Sequence, residues 1–430
     1  MADTVIRSKI GRAGYAGLTA ARMGAKTVRF MAGKPFTAQK GRKKAREKLD
    51  SDNAAILFKA FSQLRGTALK VAQMLSLEID ILPEQYRLEM AKAQHQVLPL
   101  NRAVVRKMII TELGGPPEEL FASFNTKAFA AASLGQVHTA TTHDGETLAV
   151  KIQYPGISDT IDSDIRMIKG LVRPLQKSNI MLEGLKEIRA RLVEETDYAL
   201  EAENLNWFRK HLQINKVRIP KVYENLSTNK VLSMEKLPGV HLKDWLETDP
   251  SIDERNHFGG LIGKTFRRSF YELKILHADP NPGNYLFGDD GNLALLDFGC
   301  VKRFSEDFST HFLSLMDAHI RNSKTDVLAA YKALGLLDDI TAASAAQLYE
   351  DVLKPLGDWL LKAVHPEHFD FAKNKGYASE GICHFEKMMH HPGFQQTNTE
   401  FIFLDRTIFG LYSLYEQMGA SVSFKIPVAR

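Results

Sequence analysis

Cysteine is nearly absent: Cys300 and Cys383 are the only two in 430 residues. That excludes a disulfide framework and predicts a reducing, cytoplasmic setting. No apolar run approaches the roughly 20 residues a membrane-spanning helix needs, and no secretory hydrophobic segment stands near the start. Acidic residues are scarce in the first 50 positions, which hold 3 Asp/Glu against 13 Lys/Arg. The whole chain carries +5, so the remainder sums to −5. Lys40-Gly-Arg-Lys-Lys-Ala-Arg-Glu-Lys48 concentrates this charge. Such an arm suits anionic lipid headgroups at a membrane surface, or is simply a solvated tail. Aromatic residues around it offer no stacking platform, which argues against nucleic acid.

The densest chemistry lies in His277-Ala-Asp-Pro-Asn-Pro-Gly-Asn284 and Leu295-Leu-Asp-Phe-Gly299. Asp279, Asn284 and Asp297 supply a carboxylate, a carboxamide and a second carboxylate in the order that phosphoryl transfer in a protein-kinase fold requires. The expected roles are Asp279 at the nucleophile, with Asn284 and Asp297 as oxygen ligands of Mg²⁺ or Mn²⁺. His277 is expected to brace the loop. Apolar residues flank both pieces, which predicts a polar loop between short buried strands.

Upstream, Thr147-Leu-Ala-Val-Lys151-Ile-Gln-Tyr is an alternating apolar run with one lysine, resembling the strand lysine of kinases. A lysine there loses hydration unless it meets an anion, and ATP phosphates would serve. The bland alternative is an edge-strand lysine facing solvent. Met234 to Leu237, with Glu235 and Leu237 at the hinge, would offer amide groups to adenine.

No G-x-G-x-x-G precedes Lys151. Instead the chain reads Ala130-Ala-Ala-Ser-Leu-Gly-Gln-Val-His138, in which Ala130, Ala131, Ala132, Ser133, Gly135 and Gln136 would line the phosphate side. Alanine cannot approach a phosphate as closely as glycine. This string resembles the alanine-rich loop of the UbiB-like (AarF/UbiB, ubiquinone-biosynthesis) atypical kinases. Leu69-Lys70-Val71-Ala72-Gln73 resembles that family's K-x-G-Q motif, with Ala72 in place of glycine, and Glu195-Thr-Asp197 resembles its E-x-D motif.

The resemblance implies an α+β, bilobal protein-kinase-like fold. A helical extension would pack over the active site, and the C-terminus would be helical. The expected organisation is a basic arm (1–50), an extension (51–120), an N-lobe (121–235), a C-lobe (236–345) and a helical end (346–430). Glu201 would pair with Lys151, while Glu195 and Asp197 would hold Lys70. Asp197 and Glu201, four apart, would share one face of a helix running from Ile157 to about Leu212. A further helix, starting at a cap on Asp50 or Ser51, would carry Ile56, Leu57, Phe61, Leu64, Val71 and Leu75 on one face.

A covered site admits water or a small or lipid-borne acceptor more readily than a peptide. The implied activity is therefore Mg²⁺-dependent ATP binding with ATPase or small-molecule or lipid phosphotransfer, in ubiquinone or isoprenoid-lipid metabolism. The alternative is a catalytically weak, nucleotide-binding scaffold that regulates partner proteins. Cys383-His384, His390-His391, His365 and His368 invite a zinc reading, but adjacent residues diverge on a helix. Near the C-terminus, Phe401, Leu404, Ile408, Leu411, Tyr415 and Met418 form an apolar seam. Core packing is its first expected use; a dimer or a membrane-surface helix is the alternative.

Overall fold

A computed structural model describes residues 9–33, 39–64, 67–77, 84–90, 92, 100–132, 134–172, 180–338, 341–394 and 398–426. Pro83, Pro99 and Ser133 lie outside them, as do the side chains of Gln73 and Leu75. Two compact units emerge: Met1–Leu200 with Val222–Glu235, and Glu201–Lys221 with Lys236–Arg430.

The first unit opens with α1 (Lys9–Gly33), α2 (Gln39–Leu64), α3 (Thr67–Leu77) and α4 (Glu84–Met90). The expected cap at Asp50 is not a helix start, because α2 runs through it. Asp50 is buried and accepts from Arg46 Nε one turn earlier, at 3.0 Å. The pair draws the basic stretch into a helix, as an i,i+4 contact does. Lys26 meets Asp52 at 2.9 Å, tying α1 to α2. Leu57, Phe61, Leu64 and Val71 are buried in one core, as their spacing predicts; Ile56 packs against it half-buried.

Next come α5 (Arg102–Leu113) and α6 (Pro117–Leu120). Asn101 caps α5 by accepting from Ala103 N–H, and Gly114 ends it at φ 80°. That positive φ favours glycine. The strands are β1 (Ser123–Phe124), β2 (Ala130–Ala132), β3 (Gly135–Thr141) and β4 (Thr147–Gln153). They are followed by α7 (Ile161–Val172), α8 (Ile180–Glu195), α9 (Tyr198–His211), β5 (Val217–Arg218) and β6 (Val231–Glu235). Strands β1, β3, β4 and β6 form an antiparallel sheet in that order, with β2 paired to β3. The single long helix expected from Ile157 to Leu212 is instead α7, α8 and α9. Leu148, Val150 and Ile152 face a core shared with Val105, Ile109 and Phe121. By strand alternation, Ala149 and Lys151 face the other way.

The second unit continues from α9 and β5 with α10 (Leu242–Glu247) and α11 (Ile252–Arg267). Ser251 and Glu254 form a capping box on α11, which runs directly into a π-helical turn at Arg268–Glu272. The short strands are β7 (Ile275–His277), β8 (Tyr285–Phe287), β9 (Leu293–Leu295) and β10 (Val301–Arg303). β7 pairs with β10, and β5–β9–β8 form a second sheet. The rest is helical: α12 (Glu306–Ile320), α13 (Lys324–Ala333), α14 (Ala342–Leu348), α15 (Lys354–Val364), α16 (Tyr377–Met389) and α17 (Thr399–Met418). A strand pair, β11 (Phe369–Asp370) with β12 (Ser421–Val422), completes it. Phe401, Leu404, Leu411, Tyr415 and Met418 of the C-terminal seam are buried. Core packing is the use the fold makes of it.

Candidate active site

Lys151 sits on β4, a central strand, between Val137 of β3 and Leu232 of β6. The edge-strand alternative therefore fails. The residue is 6% exposed, and its Nζ lies 4.9 Å from the centroid of the Tyr198 ring. The ring face offers partial compensation for lost hydration. Tyr198 directly follows the E-x-D motif and escaped the sequence reading.

The alanine string is a hairpin arm rather than an open loop. Ala130, Ala131 and Ala132 pair with Val137, Gln136 and Gly135. Leu134, at the hairpin tip, is buried in the helical core with residues of α2, α3 and α7, so the extension grips the tip. A methyl group on Gly135 would meet the Ile152 carbonyl oxygen at 2.3 Å and Tyr198 Oη at 2.8 Å. Only glycine fits that approach. Gln136 uses its side chain structurally. Its Oε1 accepts Leu100 N–H at 2.7 Å, and its Nε2 donates to His138 Nε2 at 2.7 Å. His138 Nδ1–H in turn donates to the Asn125 carbonyl at 2.8 Å. Burial holds His138 below the usual histidine range, consistent with this neutral tautomer.

Lys70, on α3, meets Glu195 at the end of α8: Nζ to Oε1 is 3.0 Å, with side chains 14% and 17% exposed. Asp197 Oδ1 instead accepts the amides of Ala199 and Leu200, both at 3.1 Å, which caps α9. A carboxylate cap interrupts the expected continuous helix. Asp197 and Glu201 therefore do not stack as helix neighbours. Ala72 is fully buried in the extension core, so its extra methyl fills packing space.

In the second unit, pairing of β7 with β10 and of β8 with β9 holds the polar loops. Asn284 Nδ2 donates to the Asp279 carbonyl at 3.0 Å and to Asp279 Oδ2 at 2.9 Å, leaving its own carbonyl oxygen as a hard donor. Leu296 N–H donates to the Asn284 carbonyl at 3.0 Å, fastening the loop to the strand before Asp297. Asp297 Oδ1 accepts Gly299 N–H at 3.0 Å. His277 Nε2–H donates to the Asp297 carbonyl, and its ring stands edge-on to Phe298 at 5.0 Å. A bracing geometry is what the sequence predicts for it.

α9 presents Glu201, Asn204 and Phe208, at helical spacing, to the D-F-G turn. Asn204 Nδ2 donates to the Phe298 carbonyl at 3.1 Å, and the Phe208 and Phe298 rings are 4.8 Å apart. A methyl on Gly299 would lie 3.2 Å from Asp297 Oδ1 and 3.9 Å from Glu201 Oε2, so both carboxylates border that glycine. Glu201 is 2% exposed. Asn204 was not singled out from sequence; its three-residue offset from Glu201 was the available signal. Lys151 and Glu201 fall in different units. Glu235 ends β6 opposite Leu148, and Leu237 is buried in the second unit.

A second relationship escaped the sequence. A methyl on Gly410 of α17 would sit 2.2 Å from Pro280 Cγ, so the helix backbone lies against the proline that follows Asp279. Among the described residues no group of three His, Cys, Asp or Glu could hold a metal ion. A divalent cation here would rely on Asn284 and Asp297 together with phosphate oxygens and water. Mg²⁺ is characteristically bound through one or two such side chains, so this donor set fits.

A buried strand lysine in one unit, and an Asp–Asn loop with a D-F-G turn in the other, define a protein-kinase-like α+β fold. Its family is the ABC1 atypical kinases: the model of the ABC1 atypical kinase-like domain matches residues 92–331, over half the chain, and the chain belongs to that family. Among similar proteins is the Arabidopsis thaliana chloroplastic Protein ACTIVITY OF BC1 COMPLEX KINASE 8. It is 30% identical over 301 residues, covering 67% of this chain and 39% of the relative. The zebrafish (Danio rerio) mitochondrial Atypical kinase COQ8B is 30% identical over 334 residues, covering 75% of this chain and 52% of the relative. The chain thus spans about half or less of these relatives. Rv3197 of Mycobacterium tuberculosis, solved in complex with erythromycin, aligns with a TM-score of 0.59 at 24% identity. That match covers 89% of this chain and 96% of the solved one. It is a likeness of fold.

Proposed function

We propose that this protein is a Mg²⁺-dependent ATP-binding enzyme, an ATPase or a small-molecule or lipid phosphotransferase. The carrying observation is the D-F-G turn: Asp297 is held by Gly299 N–H and by His277 beside the paired Asp279 and Asn284. Bound Mg²⁺ would neutralise charge on the β- and γ-phosphates. Asn284 and Asp297 would hold it, and Lys151 would bind the phosphates. Asp279 would orient the acceptor hydroxyl or water and accept its proton. Backbone amides of the Ala130–Gln136 hairpin would line the phosphates, and the Glu235–Leu237 segment would take adenine. Lys70, with Glu195, would keep the extension seated on that hairpin.

The scaffold reading loses ground because Ala72, the departure from the family motif, packs in the core rather than replacing a reactive group. Substrate class rests on the UbiB resemblance, which points to quinone or isoprenoid-lipid metabolism. Contact with anionic lipid from a cytoplasmic face is part of the same proposal. Its support is α1, where Leu18 and Val28 are 60% and 67% exposed beside exposed Arg22 and Arg29. Each basic side chain near such a surface contributes about 1 kcal/mol.

Phosphate release from ATP tests the reading. The wild type should turn over slowly with Mg²⁺, stop with chelator, and lose on the order of a hundredfold or more in Asp297→Asn. Turnover unchanged in that variant would overturn it. Quinone and lipid content of a deletion strain, rescued by wild type but not by Asp297→Asn, tests the substrate class.

A further inference from the structure

The ammonium of Lys151 rests on the ring of Tyr198, and both residues are buried. An aromatic ring in a protein core ordinarily packs against hydrocarbon. Here its face meets a cation 4.9 Å from the ring centroid. Such a contact is electrostatic, and it is strongest where water is excluded.

The ring is fixed from three sides. Gln153 lies two residues beyond Lys151 on β4, hence on the same face of the strand. Its Nε2 donates to the Thr196 carbonyl at 2.8 Å, which ties the segment before Tyr198 to the strand that carries the lysine. Tyr198 N–H donates to the Asn229 carbonyl at 3.2 Å, at the turn before β6. Gly135 pairs with Gln153 across the β3–β4 register, and a methyl there would lie 2.8 Å from Tyr198 Oη. The hairpin thus omits a side chain where the phenol stands. Anchored at strand, turn and hairpin, the ring has one place, and the lysine must adapt to it. A lysine stem carries large rotamer entropy, and a fixed ring face selects among its rotamers before any ligand arrives. The ammonium has three N–H donors and meets the ring on one side only, so phosphate oxygens can be bound on the other.

We propose that Tyr198 is a positioning residue for nucleotide binding: its ring face holds the Lys151 ammonium where the phosphates of ATP are to be met. The inference rests on the nucleotide-binding reading above and adds a residue that acts through Lys151. Part of the ordering that binding would otherwise demand of the lysine is then already complete in the free protein.

The test is the affinity of the purified 430-residue chain for ATP with Mg²⁺, measured by calorimetry. Tyr198→Phe keeps the ring face and should bind within about twofold of wild type. Tyr198→Leu should lose about five- to tenfold, the order of a desolvated cation–ring contact. In a Lys151→Met background the same change should cost less than about twofold, because a residue that acts through the lysine then has nothing to position. Phenylalanines bearing one, two and three ring fluorines at position 198 draw charge off the ring face with little change of shape. Affinity should fall stepwise along that series. A flat fluorine series would overturn the proposal, as would a Tyr198→Leu loss of equal size with and without Lys151. A wild type that binds no nucleotide would sink the underlying reading and the proposal together, whereas a wild type that binds, with a flat series, sinks the proposal alone. The fluorinated rings keep the size of the native one, so misfolding of Tyr198→Leu leaves them decisive.

Discussion

Lys70 and Glu195, 125 positions apart in sequence, meet as an ion pair at 3.0 Å. The contact joins the third helix of the N-terminal extension to the end of the helix that precedes Tyr198, whose ring lies beneath Lys151. Both charged groups are mostly covered, so removing one leaves the other in a site where hydration is poor.

Lys70→Ala should therefore destabilise the first unit by about 1–3 kcal/mol and lower nucleotide affinity and turnover as the hairpin loses its support. Urea unfolding measures the first effect, and titration with ATP measures the second. Affinity and turnover equal to wild type would remove Lys70 from the account.

Gly135→Ala probes the hairpin itself. The new methyl would collide with the Ile152 carbonyl and with Tyr198 Oη, at 2.3 and 2.8 Å. Overpacking of this kind costs about 1–3 kcal/mol, and backbone contacts relax poorly. Thermal unfolding should show a lowered midpoint. Tyr198→Phe removes one of the two collisions and should recover part of the loss.

The kinase signature was legible in the sequence because its chemistry is local: His277, Asp279, Asn284 and Asp297 fall within 21 residues. Strand alternation alone left Lys151 either buried or facing solvent, and pairing of its strand on both sides decides for burial. The alanine string reads as a loop through the family resemblance, since alanine itself carries neither a turn nor a strand signal. Its strand state depends on pairing with β3, a tertiary fact. Asp197 was read as a mid-helix charge because a capping aspartate and a helical one look alike in an acidic run. Gly410 carried no signal at all, since its reason for being glycine is Pro280, 130 residues away.

Gly410→Ala makes that relationship measurable. In an exposed helix the change would stabilise by about 1 kcal/mol through helix propensity. Here the methyl would sit 2.2 Å from Pro280 Cγ and displace the loop that holds Asp279. Turnover should fall at least about tenfold with nucleotide affinity nearly unchanged, because positioning of the acceptor is disturbed more than phosphate binding. A more stable and fully active variant would refute this.

His319 sets a pH dependence on the second unit. Burial depresses its pKa from 6.5 to about 4, against a smaller opposing pull from Asp358. The unfolded chain therefore binds this proton more tightly than the folded one. Stability is complete above pH 6.5, falls as pH drops toward 4, and levels below that. The change is on the order of 3 kcal/mol. Urea midpoints from pH 7.5 to 4.5 should fall in wild type and fall less in His319→Leu.

Calorimetric titration of the 430-residue chain with ATP tests the central claim most directly. One site should appear with Mg²⁺ and weaken sharply with chelator, and Lys151→Met and Asp297→Asn should each lose at least about tenfold in affinity. Binding that ignores the metal, or that both variants retain, would contradict the assignment.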